Sequence, residues 1–188
     1  MSLTGWIIVG VIVAIALLLI VLYNRLVTLR QTVNQAWSDI TVQLKQRHDL
    51  VPNLVETVKG YAAHERGTLD EVVKARNAAV AAAGPEAQAQ AENMLTGALR
   101  QLFALAESYP DLKANQNFLQ LQADLADIEN KIAAARRFFN NAVQELNASI
   151  QQFPAVLFAG SLGFTERTFF ELEEGEHTAV QTPPQVKF

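Results

Sequence analysis

The chain has 188 residues, with 15 basic and 19 acidic side chains, a formal net charge of −4 and no cysteine. That length supports one domain of ordinary size, and the missing cysteine excludes disulfides, thiolate metal sites and a lipid-modified cysteine anchor. Residues 1–24 hold no Asp, Glu, Lys or Arg, so every charged side chain falls in a mildly acidic remainder, which offers no general attraction for nucleic acid.

The first element is apolar throughout. Ile7 to Leu22 reads IIVGVIVAIALLLIVL, bracketed by Trp6 and Tyr23. Trp6 to Tyr23 makes about 27 Å of helix at ~1.5 Å per residue, close to the ~30 Å of a hydrocarbon core. Trp6 and Tyr23 stand where interfacial rings sit, and Arg25 adds a cationic anchor. A buried core helix of this length would carry polar positions. A cleaved signal peptide would want a basic start and a small-residue cleavage site, and MSLT and LIVLYNRL supply neither. Residues 1–24 are therefore predicted to be a transmembrane anchor, with the lipid bilayer as a partner. No basic side chain precedes the span, while Arg25 and Arg30 follow it. The positive-inside rule then predicts an outside N-terminus and a cytoplasmic C-terminal side. Gly10 and Ala14 form a small pair that would let two spans touch.

Beyond the span the apolar residues recur every three or four positions, which predicts helices. The first stripe runs Leu26, Leu29, Val33, Ala36, Ile40, Leu44, Val51, Val55, Val58 and Ala62. Arg47 occupies a stripe position, and Pro52 is expected to kink or break the helix. Gly67 is expected to end this segment, and Thr68-Leu69-Asp70-Glu71 then forms a capping box for a second helix carrying Leu69, Val72, Val73 and Val80. Gly84 stops it, and Pro85 suits the first turn of a third helix with Ala87, Ala91, Met94, Leu95, Ala98, Leu102 and Leu105 on its stripe. The second and third helices could lie side by side or form one arm broken at Gly84-Pro85. After the turn Ser108–Asp111, the fourth helix carries the most regular seam, Phe118 to Phe153, coiled-coil-like in its spacing. The fold class predicted is all-α: a transmembrane helix followed by an up-and-down antiparallel four-helix bundle over 25–153. An irregular tail over 154–188 is expected to dock its phenylalanines on the bundle and to end loosely.

The residues that could carry chemistry are few. A di-iron bundle needs Glu-x-x-His on two helices, and this chain offers only Glu174 to His177 in the tail. His64 begins HERGT and not HExxH. Phosphate loops, dinucleotide fingerprints and nucleophile elbows are missing. No catalytic, cofactor-binding or metal residues are therefore assigned, and no cofactor is expected. Two polar clusters remain. His48, Asp49, Asn53, Glu56 and Lys59, around Pro52, are read as a candidate surface for an unidentified protein partner. The second cluster comprises Glu129-Asn130, Arg136-Arg137 and Asn140-Asn141. If the first two soluble helices fold back about a turn near residue 66, Glu56 faces Arg76 on the second helix's stripe. A shielded guanidinium needs an acceptor, so an ion pair of Arg76 with Glu56, with Glu129, or with both is expected.

Residues 23–65, including RHDLVPNLVETVKGY, resemble the LemA family. So do residues 94–147, including YPDLKANQNF, and the tail's GF followed by FFELEEGE. The likeness covers nearly the whole chain. One departure is Phe139, where the family more often shows Tyr, which removes a possible hydroxyl hydrogen bond. The resemblance implies a bacterial single-pass protein of the inner membrane, with an outward N-terminus and a cytoplasmic helical bundle. It implies no enzymatic activity and supplies no catalytic residues. Some relatives are linked to membrane compartments such as magnetosomes. The function expected is a membrane-anchored interaction or scaffold protein, self-associating into homo-oligomers. The rival is an envelope-stress or quality-control factor working with a protease or chaperone.

Overall fold

A computed structural model describes residues 2–171, and these are helical, with no strand among them. The helices are α1 (Leu3–Lys59), α2 (Arg66–Ala81), α3 (Pro85–Ala106), α4 (Pro110–Lys113) and α5 (Gln116–Gln151), followed by a 3-10 turn at Ala155–Leu157. The apolar N-terminal segment and the first soluble stripe belong to one helix. None of its apolar window is buried, and by length and composition this helix can cross a membrane. The expected tail docking beyond residue 171, His177 included, lies outside the described residues.

The chain divides into two compact units. One is Met1–Asp39 with Ala135–Thr168; the other is Ile40–Ala134 with Phe169–Phe188. Inside the first, Leu26, Val33 and Ala36 of α1 and Phe139, Val143 and Leu146 of α5 are buried. The Trp37 ring packs on Phe139, with centroids 5.4 Å apart. Phe164 is buried, meets Tyr23 edge-on at 5.7 Å and lies 5.0 Å from the Arg30 guanidinium. Inside the second, Val51, Leu54 and Val58 pack with Leu69, Val72, Leu95, Leu102, Leu112, Phe118 and Leu125.

Several expectations need correction. Of the kink or break expected at Pro52, the break does not occur, because Pro52 sits inside α1. Thr68 is not a cap: α2 begins at Arg66, two residues earlier, with no side-chain cap, so Gly67 lies in its first turn. Met94, Val73 and Val80 are exposed, because small alanines take the inward positions instead: Ala75 and Ala79 on α2, Ala91 and Ala98 on α3. Pro85 does stand in the first turn of α3. Gly84 holds φ +83, a left-handed turn that a side chain would oppose. The chain turns there so that α2 and α3 pack on each other, not end to end as one broken arm.

Candidate functional site

Arg47 interrupts an apolar stripe, and a guanidinium carried into a helical core must be matched by acceptors there. In the second unit it is. Arg47 Nη1 donates to Glu92 Oε2 at 2.9 Å, and Nη2 donates to Thr96 Oγ1 at 2.8 Å. Nη2 also lies 2.8 Å from Glu129 Oε1. The side chains of Arg47 and Glu92 are 3% and 2% exposed, whereas that of Glu129 is 40% exposed. The innermost pair is thus dry, and the second carboxylate keeps part of its hydration.

Both oxygens of Glu92 are engaged by its neighbours. Its other oxygen, Oε1, lies 2.7 Å from His48 Nε2 and accepts from Gln88 Nε2 at 2.8 Å. A carboxylate only accepts, so the His48 proton that faces it sits on Nε2. Gln88 also donates to the Ala79 carbonyl at 3.0 Å, and Thr96 donates to the Glu92 carbonyl at 2.9 Å. Gln88, Glu92 and Thr96 stand four residues apart, so α3 presents all three on one face. Arg47 Nε is buried without a hydrogen-bond acceptor among the described residues. Taking these groups out of water costs several kcal/mol per ion, and only a network closed on nearly every side offsets that. The arrangement therefore fixes the packing of α1 on α3. It leaves Glu92 no free oxygen for a reacting group.

Arg76 is used differently from the expectation. A proline cannot donate to the carbonyl four residues earlier, so Pro52 frees the carbonyl of His48. Arg76 Nε donates to that oxygen at 3.2 Å, and Nη1 donates to Asn77 Oδ1 at 3.3 Å. Glu56 meets Lys59 at 3.4 Å on the same helix, and its side chain is 72% exposed. The expected pair of Arg76 with Glu56 or Glu129 is not formed. Glu129 serves Arg47 instead.

The five residues read as a partner surface separate. His48 is buried and turned to Glu92, because its position falls on the α1 face that α3 covers. Asp49, Asn53, Glu56 and Lys59 stay exposed. Asp49 also lines, with Lys45, His48 and Arg76, a cleft of about 320 Å³. Near the α1–α2 turn, Tyr109 donates to Glu65 Oε1 at 3.2 Å. Desolvation, then the bond and charge of Glu65, raise the Tyr109 phenol above its ordinary range. Among the anchors, Trp6 is exposed on α1, Tyr23 packs on Phe164 and Arg25 is exposed. Among the described residues, no group of three or more His, Asp or Glu side chains could hold a metal ion. Glu92, Gln88 and Thr96 are the functional neighbours that the sequence reading passed over. Their four-residue spacing beside the α3 stripe was the available signal.

Residues 36–188 match the LemA family. The magnetosome protein MamQ of Magnetospirillum gryphiswaldense is 25% identical over 198 aligned residues, which cover 92% of this chain and 73% of that protein. The magnetosome protein MamQ 2 of Paramagnetospirillum magneticum shows the same identity and coverage. The protein LemA of Metamycoplasma hominis is 27% identical over 163 residues, covering 85% of this chain and 73% of its own. With most of its length matched, this chain is a member of the LemA family.

Proposed function

We propose that this protein is a non-catalytic, single-pass scaffold of a bacterial inner membrane, whose soluble helices form an up-and-down bundle on the cytoplasmic side. The observation that carries the reading is the closed cluster around Glu92. The strongest polar grouping in the soluble helices spends its lone pairs on Arg47, His48 and Gln88. A buried charged group engaged on both oxygens by its own neighbours supports a packing role over a catalytic one. The continuous α1 supports tethering, because the exposed apolar segment passes into the soluble stripe without a linker. The cationic flank Arg25 and Arg30 supports the cytoplasmic side.

The partner surface is Asp49, Asn53 and Glu56. They stand four and three residues apart, so they form one exposed polar line on α1. Homo-oligomers form through spans that touch at Gly10, beside which α1 leaves open space, and at exposed Ala14. A photo-crosslinking residue at Asn53 in native membranes tests the partner line. A discrete protein adduct from Asn53, and none from exposed Gln144 on α5, is the expected result. Capture of a membrane protease or chaperone would move the role to quality control. No adduct from Asn53, Asp49 or Glu56 would contradict the scaffold reading.

A further inference from the structure

Phe153 to Phe164 reads FPAVLFAGSLGF, twelve residues without a charged side chain. Phe158 and Pro154 are half-buried, and the other apolar side chains fall into two sets. Ala155, Ala159 and Phe164 turn inward and are buried. Phe153, Val156, Leu157 and Leu162 face outward, with Phe153 79% and Leu157 63% exposed. Four large apolar side chains held outward on one short excursion form a patch that a water-facing loop does not normally carry.

The position of this patch says what covers it. Phe139 of α5 packs on Trp37 of α1, and fifteen residues along from each, in opposite directions, lie Pro154 and Leu22. The contacts agree: Leu22, Arg25 and Leu26 enclose a cavity of about 120 Å³ with Ser149, Phe153, Pro154 and Ala155. Leu22 is the last residue of the uninterrupted apolar run, and Tyr23 is its interfacial aromatic. The patch therefore lies level with the end of the span. The chain is pinned on both sides of the excursion. Gln151 Nε2 donates to Glu166 Oε1 at 2.8 Å, and Asn147 makes paired 2.9 Å bonds to the backbone of Arg167. The excursion is thus held on both sides beside the last apolar turn of α1.

We propose that Phe153–Leu162 is a second membrane contact, a monotopic finger that seats Phe153, Val156, Leu157 and Leu162 in the acyl boundary beside the span. Its ligand is the lipid bilayer itself. The argument is continuity: the patch abuts the last turn of a segment apolar enough to lie in lipid, and an apolar side chain placed at that depth leaves water only by entering the bilayer. Twelve residues are too few to cross, so the finger lies in the interface. Two points of attachment, one spanning and one interfacial, fix the tilt and rotation of α1 at the membrane surface, which a lone span leaves to its neighbours.

This inference rests on the reading of α1 as a membrane span, and the experiment separates the two. The chain has no cysteine, so single-cysteine variants carry an environment-sensitive fluorophore in the full chain reconstituted into phosphatidylglycerol/phosphatidylethanolamine vesicles. Ile12→Cys reports on the span. Leu157→Cys and Val156→Cys report on the finger. Phe138→Cys is an exposed apolar site in the same unit, one residue from the Trp37 level and about 22 Å along α1 from Leu22 at ~1.5 Å per residue. All four positions are exposed, so the labels leave the core intact, and helical circular dichroism checks it. The finger labels are expected to be quenched severalfold more by acyl-chain-brominated lipid than the label at 138, and severalfold less by aqueous iodide. Iodide quenching of the labels at 156 and 157 equal to that at 138, with position 12 protected, would overturn the finger alone. Shielding from both quenchers would also overturn it, because a second copy or another protein would then cover the patch. Iodide access at position 12 would overturn the span reading itself.

Discussion

Arg47, Glu92 and His48 sit where a helix stripe calls for apolar residues, and each is tolerated because the others are there. The cost of removing one partner is then set by what the others lose. Glu92→Ala leaves a buried guanidinium with its deepest acceptor gone, so it is expected to destabilise by about 3–5 kcal/mol. Glu56→Ala removes an exposed carboxylate paired only with Lys59 and is expected to cost under about 1 kcal/mol. Urea-induced loss of helical circular dichroism in detergent micelles compares the two, and equal losses would contradict the burial argument. Arg47 was legible in the sequence as a charge on an apolar stripe. Glu92 was not, because it stands beside Ala91 in a helix whose other polar residues are mostly solvated. Arg76 was legible as a partly shielded cation, but its acceptor is a backbone carbonyl, which no residue pattern displays.

At the scale of elements, most of the helical order was readable, because each apolar stripe repeats with the helical period and Pro85 and Gly84 mark one boundary. The failures have local causes. Thr68 and Glu71 matched a capping pattern, yet α2 starts earlier, at Arg66. Of the kink or break expected at Pro52, the break does not occur, and α1 runs through it. The repair is tertiary: the carbonyl that Pro52 orphans is taken by Arg76 from α2. A double-mutant cycle tests this repair. Arg76→Ala alone leaves the His48 carbonyl short of a donor and is expected to cost about 1–3 kcal/mol. In a Pro52→Ala background the restored N–H can reach that carbonyl within the helix. The same arginine substitution is then expected to cost at least ~0.5 kcal/mol less. Strictly additive losses would show that Arg76 acts elsewhere.

For the molecule as a whole, the proposed membrane reading depends on one segment whose length and apolar character were plain in the sequence. The apolar run shows neither polar interruption nor burial, and its cationic flank lies on one side only. The proposed partner surface was not legible as such, because an exposed polar line such as Asp49, Asn53 and Glu56 looks like any solvated helix face until something is bound to it. The absence of native cysteine allows the proposed tethered, cytoplasm-facing arrangement to be tested on the full chain in cells. Ser2→Cys and Gln144→Cys, both at exposed positions, are treated with a membrane-impermeant maleimide before and after the inner membrane is opened. The account predicts that position 2 is labelled in spheroplasts, that position 144 is labelled only after lysis, and that both variants stay in the membrane pellet at high pH. Labelling of position 144 in intact spheroplasts, or release of the chain from the pellet, would contradict it.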